Sequence, residues 1–339
     1  MLFLSKLYLK AVGILAVGLL AAATPVLEKR DSRTSPPSGA IVVRPSSPGS
    51  GEFTSIQAAV NSLPNDSSSG VIFIFPGTYS EQVIITRSGP LTIFGSTTDT
   101  TTYTENTVTI TNSLSAAQSG SDPTSATLQV NKANFNLYNV NLKNTFGQGS
   151  QALAVSANGS KQGYYGVSFT GFQASETGVQ FYANCYIEGA VDFIFGQHAH
   201  AFFQGVTISS TSKGSITADG PNSSTDGIFV INNSNMVLSS SAASGTSGNV
   251  FLGRPWTDTA RVVFTNSNLG SHINPAGWSI WSTATPNTDH VLFGEFGNTG
   301  PGSLGTRASF AQELTSTAGF TISDILGSDF ATWTDSSFV

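Results

Sequence analysis

The most telling scarcity in this chain of 339 residues is charge: Asp, Glu, Lys and Arg together make up 10%, against roughly 25% in ordinary soluble domains. Surface helices rest on such residues, so a helix-rich architecture is excluded first. Basic residues are scarcer still, 14 Lys and Arg against 20 Asp and Glu, for a net charge of −6. Nothing gathers them into the patch that phosphate binding needs, which excludes nucleic acid as a partner. An acidic chain also gains no steering toward a polyanion.

Cysteine is nearly absent. Cys185 is the single one, so no intramolecular disulfide can form and the core must hold the fold. It alternates with apolar neighbours in Phe181-Tyr182-Ala183-Asn184-Cys185-Tyr186-Ile187, the pattern of a buried packing residue rather than a nucleophile. The 4 histidines are His198, His200, His272 and His290. Only His198 and His200 can share a strand face, and no Cys or carboxylate set completes a metal site around them. No cofactor is required by any motif.

Long apolar runs are also missing, with one exception at the N-terminus. Lys6 and Lys10 precede an apolar and small stretch from Ala11 to Ala23, the order of charges, apolar run and small residues that marks a signal peptide. The stretch is too short to span a bilayer comfortably. Residues 1–23 therefore read as a signal peptide. Leu27-Glu28-Lys29-Arg30 resembles a dibasic propeptide site, which makes 24–30 a propeptide and sets the mature start at Asp31. The mature protein is expected to be extracellular, free of the membrane and monomeric. Asn-x-Ser sequons at Asn65, Asn158, Asn222 and Asn232 agree with export and mark expected surface positions.

What the chain has in abundance is Gly (35), Phe (23), Ser, Thr and Asn, the material of strands and turns. From Gly70 onward one theme returns: a short strand, then Asn, Gly or Ser, then another strand. Aligning Val140, Val167, Cys185 and Val206 gives spacings of 27, 18 and 21 residues, a coil with loops of varying length. A parallel β-helix has this signature, because each turn buries its inward side chains only by stacking on its neighbours. Asn and Gly at the corners supply the left-handed conformations that tight bends need. A β-sandwich is the runner-up, disfavoured by the lack of two-residue hairpin signals. Ser55 to Leu63 reads as an amphipathic capping helix, and Phe310 to Leu314 and Ser323 to Phe330 as short helices near the C-terminus. No linker long enough to divide the chain lies within 39–339, so 31–339 is read as one domain of the all-β class.

Chemistry is concentrated in Ile187-Glu188-Gly189-Ala190-Val191-Asp192-Phe193-Ile194-Phe195-Gly196, where the Asp192 carboxylate interrupts the apolar stretch from Ala190 to Phe195, read as a strand. An unpaired charge there is costly. A backbone-bonded structural Asp is the bland account. The Val-Asp-Phe-Ile-Phe-Gly run, however, resembles the signature of pectin methylesterases. Further motifs of that family stand in order: Gly77-Thr78-Tyr79-Ser80-Glu81, Gln151-Ala152-Leu153-Ala154-Val155, Leu252-Gly253-Arg254-Pro255-Trp256 and Gly277-Trp278-Ser279-Ile280-Trp281. The resemblance covers roughly residues 40 to 335.

The resemblance implies a right-handed parallel β-helix solenoid with short capping helices, acting on methyl-esterified homogalacturonan. It assigns Asp192 as nucleophile on the methyl-ester carbonyl, giving an acyl-enzyme and methanol. Arg254 would lower the Asp192 pKa and orient it. Gln151 and Gln173 would donate to the oxyanion. Phe195, Trp256 and Trp278, with Trp281 less firmly, would offer faces for sugar rings, core packing being the competing account.

One departure stands out. In the family an Asp directly after the second Gln is the general acid and base. Here Gly171-Phe172-Gln173-Ala174-Ser175-Glu176-Thr177 lacks about three residues and that carboxyl, a loss that costs roughly 10²- to 10⁴-fold in rate. Glu176 is one candidate to replace it. A catalytically impaired, pectin-binding homologue is another explanation, and an in-frame sequence error a third. The other β-helix chemistries on pectin fit less well: a hydrolase needs paired carboxylates across the cleft, and a calcium-dependent lyase an acidic cluster.

Overall fold

A computed structural model describes residues 31–339 except residue 172 and the side chains of residues 173–176. The expected signal peptide and propeptide, residues 1–30, lie outside the described residues.

The chain coils as a right-handed parallel β-helix. Its described strands form one 16-stranded and one 8-stranded sheet, every ladder parallel. The larger sheet is two faces joined, because the strands Gln173–Ala183 and Ile194–Gln204 are each 11 residues long and serve both. At its start Ile194–Gln204 pairs with Gly214–Asp219, and at its end with Ile228–Asn232. Each turn thus has three sides. The first runs Leu153–Asn158, Gln173–Ala183, Ile194–Gln204, Gly214–Asp219 and Val250–Pro255, and carries the cleft.

The aligned residues of the sequence repeat do stack. Val140, Val167, Cys185 and Val206 are all fully buried. The residue following each aligned position donates its amide to the preceding aligned carbonyl, as in Ser168 to Val140 (3.0 Å), Tyr186 to Val167 (2.9 Å) and Thr207 to Cys185 (2.8 Å). The residue before each one turns the corner left-handed: Asn139 (φ 52°), Gly166 (58°), Asn184 (50°) and Gly205 (62°). Only Gly and Asn adopt that conformation readily, which is why those types recur there.

Stacking extends to the aromatic side chains. Tyr164, Tyr182 and Phe203 occupy equivalent places in successive turns, with centroids 4.8 and 4.7 Å apart and nearly parallel planes. Burial of this kind, at roughly 25 cal/mol per Å² of apolar surface, holds the solenoid without a disulfide.

The N-terminal end is closed as expected. Ile56–Ser62 is a helix that buries Ile56, Ala59 and Val60, and its N-cap Ser55 accepts from the Ala58 amide. Glu81 completes the cap by accepting from the Ile56 and Gln57 amides (2.8 and 3.0 Å) and the Ser55 hydroxyl. The Gly-Thr-Tyr-Ser-Glu motif is therefore a clasp between the first strands and the cap.

The C-terminal expectations need correction. Ala311–Glu313 is a strand paired with Leu292–Phe296, so Phe310 to Leu314 adds a rung instead of a helix. The helix near Ser323 exists as Ile322–Leu326. It does not cap the end: Ile325 and Leu326 pack along the flank on Phe181, Phe202 and Val230. That flank presents apolar side chains outward, and the tail removes them from water.

Among the sequons, Asn65, Asn158 and Asn222 are exposed. Asn232 departs from the surface expectation: half-buried, it donates to Gln204 Oε1 (2.8 Å) and accepts from Thr265 (2.8 Å). Cys185 is buried, and desolvation pushes its thiol up to about 12, which makes it inert as expected.

Candidate active site

The cleft lies on the outer surface of the first side. The register of three adjacent strands sets Phe195 beside Ala218 and Ala218 beside Arg254, a row of outward side chains at one level. Arg254 comes this close because its neighbour is glycine: a Cβ on Gly253 would stand 2.2 Å from Thr217 Oγ1.

Asp192 is not inside a strand, contrary to the sequence expectation. It sits at the corner between Tyr186–Gly189 and Ile194–Gln204 with φ of 51°, in the left-handed region. Its amide donates to the Ser215 carbonyl at 2.7 Å, so the corner is tied into the next turn. The chain folds back tightly before it, where a Cβ on Gly189 would meet the Phe193 Cβ at 2.3 Å. A non-glycine residue held left-handed costs about 1–3 kcal/mol, and such sites cluster where geometry serves function.

Arg254 grips this carboxylate. Its Nε donates to both carboxylate oxygens, at 2.9 and 3.1 Å, and its Nη2 donates to Oδ2 as well. The guanidinium is itself fixed from the other side: its Cζ lies 4.3 Å from the Trp281 ring centroid, and Nη1 donates to the Trp281 carbonyl at 3.4 Å. Asp192 is 7% exposed. Burial raises its pKa above the ordinary aspartate value, and the Arg254 hydrogen bonds and charge pull it back only in part. Arg254 lowers the pKa as expected, but desolvation outweighs the ion pair.

Around the pair is a cavity of about 320 Å³ lined by Asp122, Gln151, Asp192, Phe195, Ala218, Arg254, Trp256 and Trp281. Gln151 stands exposed just ahead of the strand Leu153–Asn158, its carbonyl accepting from the Ala116 amide at 2.8 Å. The Trp256 and Trp281 rings are stacked at 6.4 Å and 13°, and Phe195 meets Trp256 at 6.1 Å and 56°. An apolar floor of Ala126, Leu153, Phe195 and Ala218 supports them.

The structure thus brings together Asp192, Arg254, Gln151, Phe195 and Trp256. Trp278 is a correction: it is 1% exposed, stacked on Phe293 at 4.3 Å, and donates to Glu295 (3.0 Å). It is a core residue and offers no face to the cleft; Trp281 takes that place. The backbones of Gln173 and Glu176 belong to Gln173–Ala183, in register with Leu153 and Ala157. Their side chains lie outside the described residues. His198 is exposed, near Asp226 (3.9 Å) and Asn222 (3.5 Å), and takes no part in the cleft. Asp122 was missed by sequence reasoning, since Ser121-Asp122-Pro123 carries only a turn signal.

Comparison with known proteins places the whole chain. The profile of the family described as Pectinesterase matches residues 40–323. A pectinesterase of Aspergillus aculeatus is 46% identical over 338 residues, 97% of this chain and 98% of that protein. The crystal structure of the pectin methylesterase from Aspergillus niger, deglycosylated, superposes with a TM-score of 0.84 at 38% identity, covering 91% of this chain and 100% of that one. A pectin methylesterase in complex with a hexasaccharide superposes with a TM-score of 0.71 at 26% identity, covering 85% and 96%. A match over most of the chain, at that identity and in one fold, has a single meaning: this chain belongs to the pectinesterase family.

Proposed function

We propose that this chain is a secreted carboxylic ester hydrolase that removes methyl groups from galacturonate esters of pectin, with Asp192 as nucleophile. The observation that carries the reading is the carboxylate of Asp192, buried and held by the Arg254 fork at one wall of an aromatic-lined cavity. A free carboxylate is a weak nucleophile because it is weakly basic; holding it in one orientation offsets this by lowering the entropic cost of attack.

The sugar would lie against Trp256 and Trp281, with Phe195 beneath. Asp192 then attacks the ester carbonyl. Gln151, joined by Gln173, offers amide N–H groups to the oxyanion as charge develops there. Collapse expels methanol and leaves an acyl-enzyme, which water hydrolyses. Arg254 orients Asp192 and stabilises it again as the leaving carboxylate.

A second reading is favoured by one feature, the shortened segment after Gln173 that lacks the family's acid/base Asp. In that case the chain binds pectin and turns it over poorly. Methanol release from highly esterified pectin decides between them. Sustained release, abolished by Asp192→Asn, supports the esterase; binding without release selects the impaired homologue.

A further inference from the structure

The reaction needs a proton donor for the departing methoxide and a proton acceptor for the deacylating water. Arg254 and Asp192 are committed to each other. Among the described residues lining the cavity, the remaining titratable group is Asp122.

Asp122 opens the short helical turn Asp122–Ser125. The turn is anchored: Ser125 Oγ donates to the Asp122 carbonyl at 2.7 Å and accepts from the Leu153 amide at 3.2 Å. That second bond ties it to the strand that follows Gln151, and Ala126 packs into the cleft floor beside Leu153 and Phe195. The Asp122 carboxyl itself makes no hydrogen bond or ion pair with a described residue, so it is available to a ligand. Half-burial raises its pKa above the ordinary aspartate value.

We propose that Asp122 is the general acid and base of this cleft, replacing the carboxyl lost from the segment after Gln173. The proposal rests on Asp192 being the nucleophile. In the first half, Asp192 forms a C–O bond to the ester carbon and the C–OCH₃ bond breaks, while the methoxy oxygen takes the proton of the Asp122 carboxylic acid and leaves as methanol. In the second half, the Asp122 carboxylate takes a proton from water as its oxygen bonds to the acyl carbon. The bond to Asp192 breaks, Asp192 departs as carboxylate, and Asp122 is again protonated.

The experiment uses the full mature chain with Asp122→Asn, Asp122→Ala, Glu176→Gln and Asp192→Asn. Methanol release from methyl-esterified pectin and alcohol release from the trifluoroethyl ester of the same polymer are both followed. The expected result for Asp122→Asn is a kcat lower by roughly 10²- to 10⁴-fold on the methyl ester, with KM and melting temperature unchanged. Trifluoroethoxide leaves without a proton, so the same variant should give a stoichiometric burst of trifluoroethanol and then slow turnover. Added formate should partly restore Asp122→Ala. A kcat within threefold of wild type in both Asp122 variants overturns the proposal. So does a collapse in Glu176→Gln with Asp122→Asn unaffected, which returns the role to Glu176. Failure of the underlying reading looks different: Asp192→Asn would then keep its activity.

Discussion

Arg254 is clamped between two partners that come from different turns: its guanidinium donates to Asp192 on one side and lies 4.3 Å from the Trp281 ring centroid on the other. Neither contact alone fixes a long, flexible side chain. Together they leave it one position, and through it the Asp192 carboxylate has one orientation.

Arg254→Lys keeps the charge and loses the fork. We expect kcat to fall by about 10²-fold with little change in melting temperature. Because Arg254 is what pulls the Asp192 pKa back toward its usual range, weakening it raises that pKa further. If Asp192 is the nucleophile, as proposed, it must be ionised, so the acid limb of the pH–rate profile should move to higher pH. A limb that stays in place or moves down would contradict the assignment.

The two tryptophans separate binding from folding. Trp281→Ala removes a cleft ring proposed to stack on sugar and a contact to Arg254, and on that proposal KM for pectin should rise by about two- to tenfold, with the melting temperature nearly constant. Trp278→Ala empties a core site that is 1% exposed and should cost about 3–5 kcal/mol of stability. Chemical denaturation of both variants checks this; a stable Trp278→Ala with impaired binding would reverse the roles.

Asp219 should shape the pH dependence of stability. It is fully buried, Oδ1 has no partner among the described residues, and burial pushes its carboxyl up to about 8. The folded state therefore holds a proton that the unfolded chain releases near pH 4. Stability from this group is complete below that value and lost as pH rises to about 8, by about 1.4 kcal/mol per pH unit. Asp219→Asn should flatten that loss; urea melts from pH 4 to 8 measure it, and an unchanged slope would remove Asp219 as the cause.

The corner residues predict a conformational effect. Asn184 is left-handed at φ 50° and donates to the Thr101 carbonyl at 2.9 Å. Asn184→Ala should cost about 1–2 kcal/mol from the backbone alone. Asn184→Gly removes the same hydrogen bond while tolerating the angle, so it should be the milder change by thermal melt.

The β-helix was legible in the sequence because its cause is periodic. Val140, Val167, Cys185 and Val206 each precede a strand and follow an Asn or Gly, and stacking and the left-handed corner act within a few residues of each. Asp192 was legible from its motif, a carboxylate between the apolar residues Val191 and Phe193. Its setting was not. That it occupies a corner, and that burial outweighs Arg254 in its pKa, depends on how deeply neighbouring turns cover it, a three-dimensional quantity. The tryptophans make the same point: Trp278 and Trp281 share one motif three residues apart, and only the path of the chain after Val250–Pro255 sends the first into the core and the second to the cleft. Asp122 lies 70 positions before Asp192 in an ordinary turn. The amino-acid sequence by itself determined the coil, its corners and the position of the Asp192 carboxylate in the chain; which side chains meet across turns was decided by the winding that lays distant segments side by side.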